Sequence, residues 1–165
     1  MAEFQTRPVA PEDWSDLHRM ATHWPVVRQM GSWPWPTSEA FTRSRSGPYR
    51  GRGFVWAIVR EGRTVGTVAV TGDELGYMLH PDAQGQGIMR RAVAQALAAA
   101  FDDPERTRVV ASVWWDNPAS ASLLERAGFE HWQTAYVRGA VRYPTPTRFF
   151  RLSRARWQRL SAAAQ

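Results

Sequence analysis

The chain has 165 residues, 44% of them hydrophobic and 22% charged, which fits one soluble globular domain over residues 1–165. It lacks cysteine, excluding disulfides, thiolate metal sites and a cysteine nucleophile, and no apolar run nears the ~18 residues of a membrane span. Its net charge of +6 rests on arginine alone, with 14 arginines against 15 acids through Glu130, then seven more and no acid from His131 onward.

In chain order, Phe4 to Val9 reads as a first strand and Pro11 to Ala21 as a helix with proline and acids in its first turn. His23 to Pro36 carries Trp24, Trp33 and Trp35 among three prolines, so it reads as a loop with large apolar side chains. Thr37 is placed to cap a helix running to about Ser44. Phe54 to Arg60 and Thr64 to Thr71, joined through Glu61, Gly62 and Arg63, make a β-hairpin. Leu75 to His80 is a strand stopped by Pro81. Gly87 to Phe101 repeats apolar residues four apart on one helical face. Val109 to Trp115 is a strand, Pro118 to Ala127 a helix closed by Gly128, and two strands follow near Gln133 to Val141 and Arg148 to Leu152. That order points to a mixed α/β layer architecture.

The densest signal is Glu74 to Arg90, ELGYMLHPDAQGQGIMR. A strand ends at a proline, a short loop carries Gly85 and Gly87, and a helix starts at once. A helix N-terminus has unpaired N–H groups and partial positive charge, and glycines let a ligand approach the backbone. The result is an anion site suited to phosphates, with Arg90 and Arg91 adding charge. It is not the dinucleotide fingerprint, whose third glycine position is Arg90 here, nor a Walker loop, since no G-K-S/T follows.

With those residues the sequence resembles the GNAT superfamily of N-acetyltransferases, within it the RimJ/RimL-type branch acting on protein N-termini and small amines. Gln84, Gly87 and Met89 stand at the three fixed positions of the family's Q/R-x-x-G-x-G/A signature, Met89 replacing a small residue. Asn117 to Phe129, NPASASLLERAGF, is similar to a second family segment, and ELGYML to the branch's strand. The resemblance implies a central, mostly antiparallel sheet of six to seven strands flanked by helices. It implies acetyl-CoA as the cofactor, its pantetheine arm paired to the main chain of Met78 and Leu79. Gln84, Gly85, Gln86, Gly87, Ile88, Met89 and Arg90 would wrap the pyrophosphate, and Asn117 would meet the pantetheine or acetyl end. Met89 is expected either to crowd the loop or to turn into the core beside Val93.

The implied reaction is direct attack of a neutral amine on the thioester. Glu74 is the candidate base, acting through water, and Ser120 the candidate acid; Leu124 stands where many family members carry a tyrosine acid, and Ser112 where others carry a base. Tyr136 and Tyr143 are fallback acids. Trp33 and Trp35 are expected to line or lid the acceptor pocket, or else to plug the core. His18, His23, His80 and His131 lack metal-ligand spacing, so no metal is expected, and only His80 lies near the cofactor. The acceptor is a small-molecule or peptide amine, with a membrane role excluded. The start MAEFQTRP shows no signal-peptide pattern, so a cytoplasmic setting is expected. Two rivals remain at this stage: a CoA-binding protein without catalysis, and a basic RNA- or ribosome-associated module. An exposed final strand leaves homodimer pairing open.

Overall fold

The computed structural model describes residues 3–163. Seven strands form one sheet in the order β1-β2-β3-β4-β5-β7-β6. They are β1 (Gln5–Pro8), β2 (Gly53–Arg60), β3 (Arg63–Thr71), β4 (Glu74–Leu79), β5 (Arg108–Trp114), β6 (Glu130–Gly139) and β7 (Arg142–Ser153). Every neighbouring pair is antiparallel except β4 and β5. Those two run parallel and share a single pair of facing residues, Glu74 and Val110, with the Val110 amide bonding the Asp73 carbonyl at 2.8 Å. Beyond that point the sheet opens.

Among the described residues six α-helices cover the two faces: α1 (Trp14–Ala21), α2 (Trp24–Val27), α3 (Glu39–Arg45), α4 (Ile88–Asp102), α5 (Pro118–Arg126) and α6 (Arg154–Ala163). The four-residue repeat of α4 buries Ile88, Ala92, Val93, Ala96, Leu97 and Ala100 against Val68, Val70, Val109, Ala111 and Phe150 of the sheet. On the opposite face Leu17, Met20, Val26, Val27 and Trp33 pack with Ala57 and Met78. Alternation along each strand separates the two cores, because successive side chains point to opposite faces.

The predicted elements recur, but β6 starts and ends earlier than expected, β7 begins at Arg142 and not Arg148, and three further differences stand out. Ser38, not Thr37, caps α3, its side chain accepting from the Phe41 amide at 3.2 Å. The Trp–Pro segment contains the four-residue α2, and α6 follows β7 where no helix was expected. Gly128 ends α5 at φ +96°, with the Phe129 amide on Leu124 O and the Gly128 amide on Glu125 O, both at 3.0 Å.

Candidate active site

The opening between β4 and β5 is the mouth of a cavity of about 760 Å³. Its walls are β4, the loop into α4, the start of α5, the second half of β5, Thr147 of β7, Val137 and Arg138 of β6, and residues within 25–31. From Glu74 to Leu79, β4 carries its chain along this opening for roughly 17 Å.

Main-chain alternation decides which groups of β4 face the opening. The His80 amide bonds Val65 O of β3 at 2.8 Å, and a Cβ on Gly66 would stand 2.6 Å from the Met78 carbonyl oxygen. Residues of that parity therefore bond β3, and Leu75, Tyr77 and Leu79 turn their amides and carbonyls toward β5. Leu79 O, for example, accepts from Gln84 Nε2 at 3.0 Å. The main chain of Leu79 thus faces the opening. That of Met78, expected to do so as well, belongs to the β3 ladder, and its side chain packs among α1 and α2 while the residue still borders the cavity. Tyr77 takes its place at the gap.

At the far end of β4, Pro81–Ala83 forms one tight turn, and Gly85 and Gly87 both adopt φ +72°. A Cβ on either would meet nothing within 4 Å, so the backbone here borders open space. Gly87 caps α4, its carbonyl accepting from the Arg91 amide at 3.3 Å. The amides of Ile88, Met89 and Arg90 precede that bond and have no intrahelical acceptor. Gln86 does not border the cavity. It braces the loop, donating to Asp82 O at 2.8 Å and accepting from Arg60 Nη1 at 2.7 Å. Met89 is buried in the α4 core, where it forms part of the cavity wall and leaves the glycine cradle open. A donor set of unpaired amides, a helix N-terminus and the exposed Arg90 suits a pyrophosphate. Acetyl-CoA therefore fits the residues present.

Asn117 caps α5, accepting from the Ser120 amide at 3.1 Å, and borders the cavity as well. Ser120 Oγ lies 2.6 Å from the Tyr77 hydroxyl. Burial pushes the Tyr77 phenol up to about 12, although the Ser120 hydrogen bond opposes it. The ELGYML motif contains Tyr77, but the sequence alone gives it no role. Its parity with Leu75 and Leu79 was the available signal, since it sets the ring on the α5 face of the sheet. Glu74, exposed at the start of β4, is the one carboxylate bordering the cavity among the described residues. Ser112 borders it too, whereas Leu124 is wholly buried in the core. Tyr136 and Tyr143 are exposed away from it.

The tryptophans of the loop fall elsewhere. Trp33 is buried with its ring 5.4 Å from Phe41, and exposed Trp35 leans on Trp24 at the same separation. Neither reaches the cavity; Val26, Gln29 and Met30 supply that wall instead. An ionic clamp seats the wall. Asp116 Oδ2 bonds Arg28 at 2.6 Å and Arg142 at 3.1 Å, and the Arg142 guanidinium also donates to Arg28 O and Gln29 Oε1. Trp114 Nε1 donates to Gln29 O at 3.1 Å. His80 is buried behind the loop, 2.8 Å from Arg19, and burial with that cation lowers its pKa. Among the described residues no three acids or histidines gather as metal ligands, and no helix is long and apolar enough to cross a membrane.

Residues 4–130 match the family model of the acetyltransferase (GNAT) domain. No curated protein matches the chain in sequence. Among solved structures, spermidine N-acetyltransferase from Vibrio cholerae in complex with CoA and spermine superposes with a TM-score of 0.81 at 14% identity, over 94% of this chain and 98% of the other. The aminoglycoside acetyltransferase AAC(6')-Ib in complex with coenzyme A gives 0.77 at 17% identity, over 96% and 99%. The same enzyme with ribostamycin and coenzyme A gives 0.78 at 17%, over 95% and 97%. At these identities the likeness is one of fold.

Proposed function

The chain belongs to the acetyltransferase (GNAT) domain family, and from that footing we propose that it moves acetyl from acetyl-CoA to a primary amine in a ternary complex. The observation that carries this reading is the continuity of the parted β4–β5 edge with the glycine cradle at the start of α4. One end supplies main-chain bonds to an extended arm, and the other supplies amides to a pyrophosphate. A recess lined by Arg90, Arg91, Arg126 and Trp157 adjoins the cradle through Arg90 and Leu123, and its cations suit the nucleotide end. The whole chain acts as one domain, because β6 and β7, beyond the family match, complete the sheet and supply Phe150 and Leu152 to its core. The likeness of the ELGYML strand and the Asn117 segment to the RimJ/RimL-type branch supports assigning the chain to it.

Bound acetyl-CoA supplies an activated acyl carbon with a thiolate leaving group. Glu74 takes the amine proton through a water, while an inward-facing amide of Tyr77 or Leu79 stabilises charge on the carbonyl oxygen. Ser120, backed by Tyr77, donates a hydrogen bond toward the leaving sulfur. A phenol at about 12 is a weaker acid than a thiol near ~8.5. Tyr77 therefore holds its proton and acts as a fixed donor; solvent completes protonation of the thiol. An α-amine with pKa ~8 costs about 1 kcal/mol to neutralise at pH 7, a lysine-type amine about 4–5. A single exposed carboxylate suits the α-amine.

Thiol release from acetyl-CoA, followed with and without a panel of primary amines, tests the reading directly. Amine-dependent release supports transfer. Tight cofactor binding with no amine-dependent release would leave the non-catalytic binder instead.

A further inference from the structure

Resting on that reading of the site, we infer that the acceptor is an apolar α-amine that carries an acidic group of its own, not a polycation. The cavity sets one carboxylate, Glu74, against two guanidinium groups, Arg90 and Arg138. Arg90 stands at the pyrophosphate cradle. Arg138 lies on β6, across the cavity from that loop in the sheet order, and is exposed. No hydrogen bond, ion pair or ring contact engages its side chain among the described residues, whereas Arg28 and Arg142 nearby are both held by Asp116. An unspent cation at a substrate cavity favours an anionic group there and opposes a second positive charge.

The rest of the acceptor side agrees. Val26, Met30, Trp114 and Val137 form an apolar wall, and Gln29 is neutral. Asp116 does not reach the cavity, and its charge is already balanced by two arginines. A polyamine or aminoglycoside would thus find a single carboxylate for its several ammonium groups, and Arg138 in its path. An amine beside an apolar side chain, with a carboxylate one residue further on, matches wall and cation together. Either the N-terminus of an acidic protein or a free acidic peptide carries that chemistry.

The test uses the intact protein and acetyl-CoA with three C-terminally amidated dipeptides: leucyl-glutamate, leucyl-glutamine and leucyl-lysine. Their α-amines are alike and only the second side chain changes. The expected order of kcat/KM is glutamate, then glutamine, then lysine, at least tenfold from first to last, carried by KM and shrinking with added salt. Arg138→Ala should level the glutamate and glutamine peptides, and Arg138→Glu should reverse the order. A hexapeptide with the same first two residues, used better than the dipeptide, would mark protein N-termini as the source; equal use would mark free peptides. Spermine or kanamycin matching the glutamate peptide, or an unchanged order in Arg138→Glu, overturns the inference. So does a loss of acetyl-CoA affinity, by calorimetry, in the Arg138 variants. If acetyl-CoA binds and no α-amine reacts, the acceptor class is wrong while the cofactor site stands; if acetyl-CoA does not bind, the underlying reading has failed.

Discussion

At Asp13 one buried carboxylate joins three parts of the fold. It bonds Arg7 of β1 through both oxygens at 2.7 and 2.8 Å, the Thr64 hydroxyl of β3 at 2.6 Å and the Ala10 amide at 2.8 Å. Burial alone would raise its pKa, yet the bonds from Arg7, Thr64 and Ala10 outweigh it and hold the group at about 2. The folded value lies below the ordinary ~3.9, so the stabilisation is complete above pH ~4 and drains away as pH falls toward 2. Asp13→Asn should cost about 2 kcal/mol at pH 7, and the gap from the native chain should close on acidification. Urea unfolding of both chains at pH 7 and at pH 3 measures it; a cost independent of pH would contradict the assignment. Among the groups proposed to react, Glu74→Gln should lower kcat roughly 100-fold. Tyr77→Phe and Ser120→Ala should each lose about tenfold, and the double variant no more than either, because the two hydroxyls act as one donor chain. Since Tyr77 titrates only at about 12, the Tyr77→Phe pH–rate profile should parallel the native one from pH 6 to 10. Motif position in the sequence pointed to Glu74 and Ser120, the base and donor proposed above, and both border the cavity. It did not point to Tyr77, because a tyrosine in an apolar strand carries no mark of which side chain it will meet across 43 residues.

Elements were readable where the residue pattern alone settles which surface is buried. The period of α4 and the alternation of β3 do this, and both recur at nearly the expected bounds. The C-terminal α6 gave no such pattern, for none of its residues is buried. It is held instead by Trp157 stacked on Phe101 at 5.5 Å and by Arg154 and Arg156 bonding carbonyls at the ends of α4 and α5. The Trp–Pro loop hid its role in the same way, since tertiary contacts decide that Trp33 faces the core and Met30 the cavity. The Asp116 clamp orders this wall, so Asp116→Ala, which strands Arg28 and Arg142, should loosen it. The acceptor KM should rise about tenfold, with acetyl-CoA affinity within twofold of native. Steady-state kinetics beside calorimetry separates the two, and equal losses in both would make Asp116 a general stability residue. Burial would raise the Asp116 pKa, but the Arg142 hydrogen bond and the charges of Arg142 and Arg28 bring it below the usual carboxylate range.

Across the whole molecule, three of the seven arginines after Glu130 are tied into the fold by hydrogen bonds and ion pairs. Arg142 serves the clamp, Arg154 bonds the carbonyls of Phe101, Asp103 and Arg106, and Arg156 pairs with Glu130 at 3.1 Å. Charge counted along the sequence therefore overstates the cation available to a nucleic acid by these three arginines. What composition could not convey is that one arginine of this region, Arg138, stays free at the cavity. The central claim is the cofactor site, where a parted strand pair leads to two left-handed glycines at a helix start. Calorimetry of acetyl-CoA binding to the native chain and to Gly87→Asp tests it most directly. Aspartate tolerates the left-handed backbone better than most residues and would project its charge into the cradle meant for phosphate. The account predicts micromolar binding that falls at least a hundredfold in the variant, with thermal unfolding shifted only slightly. Equal binding by the two chains, or none by the native chain at millimolar acetyl-CoA, would contradict it.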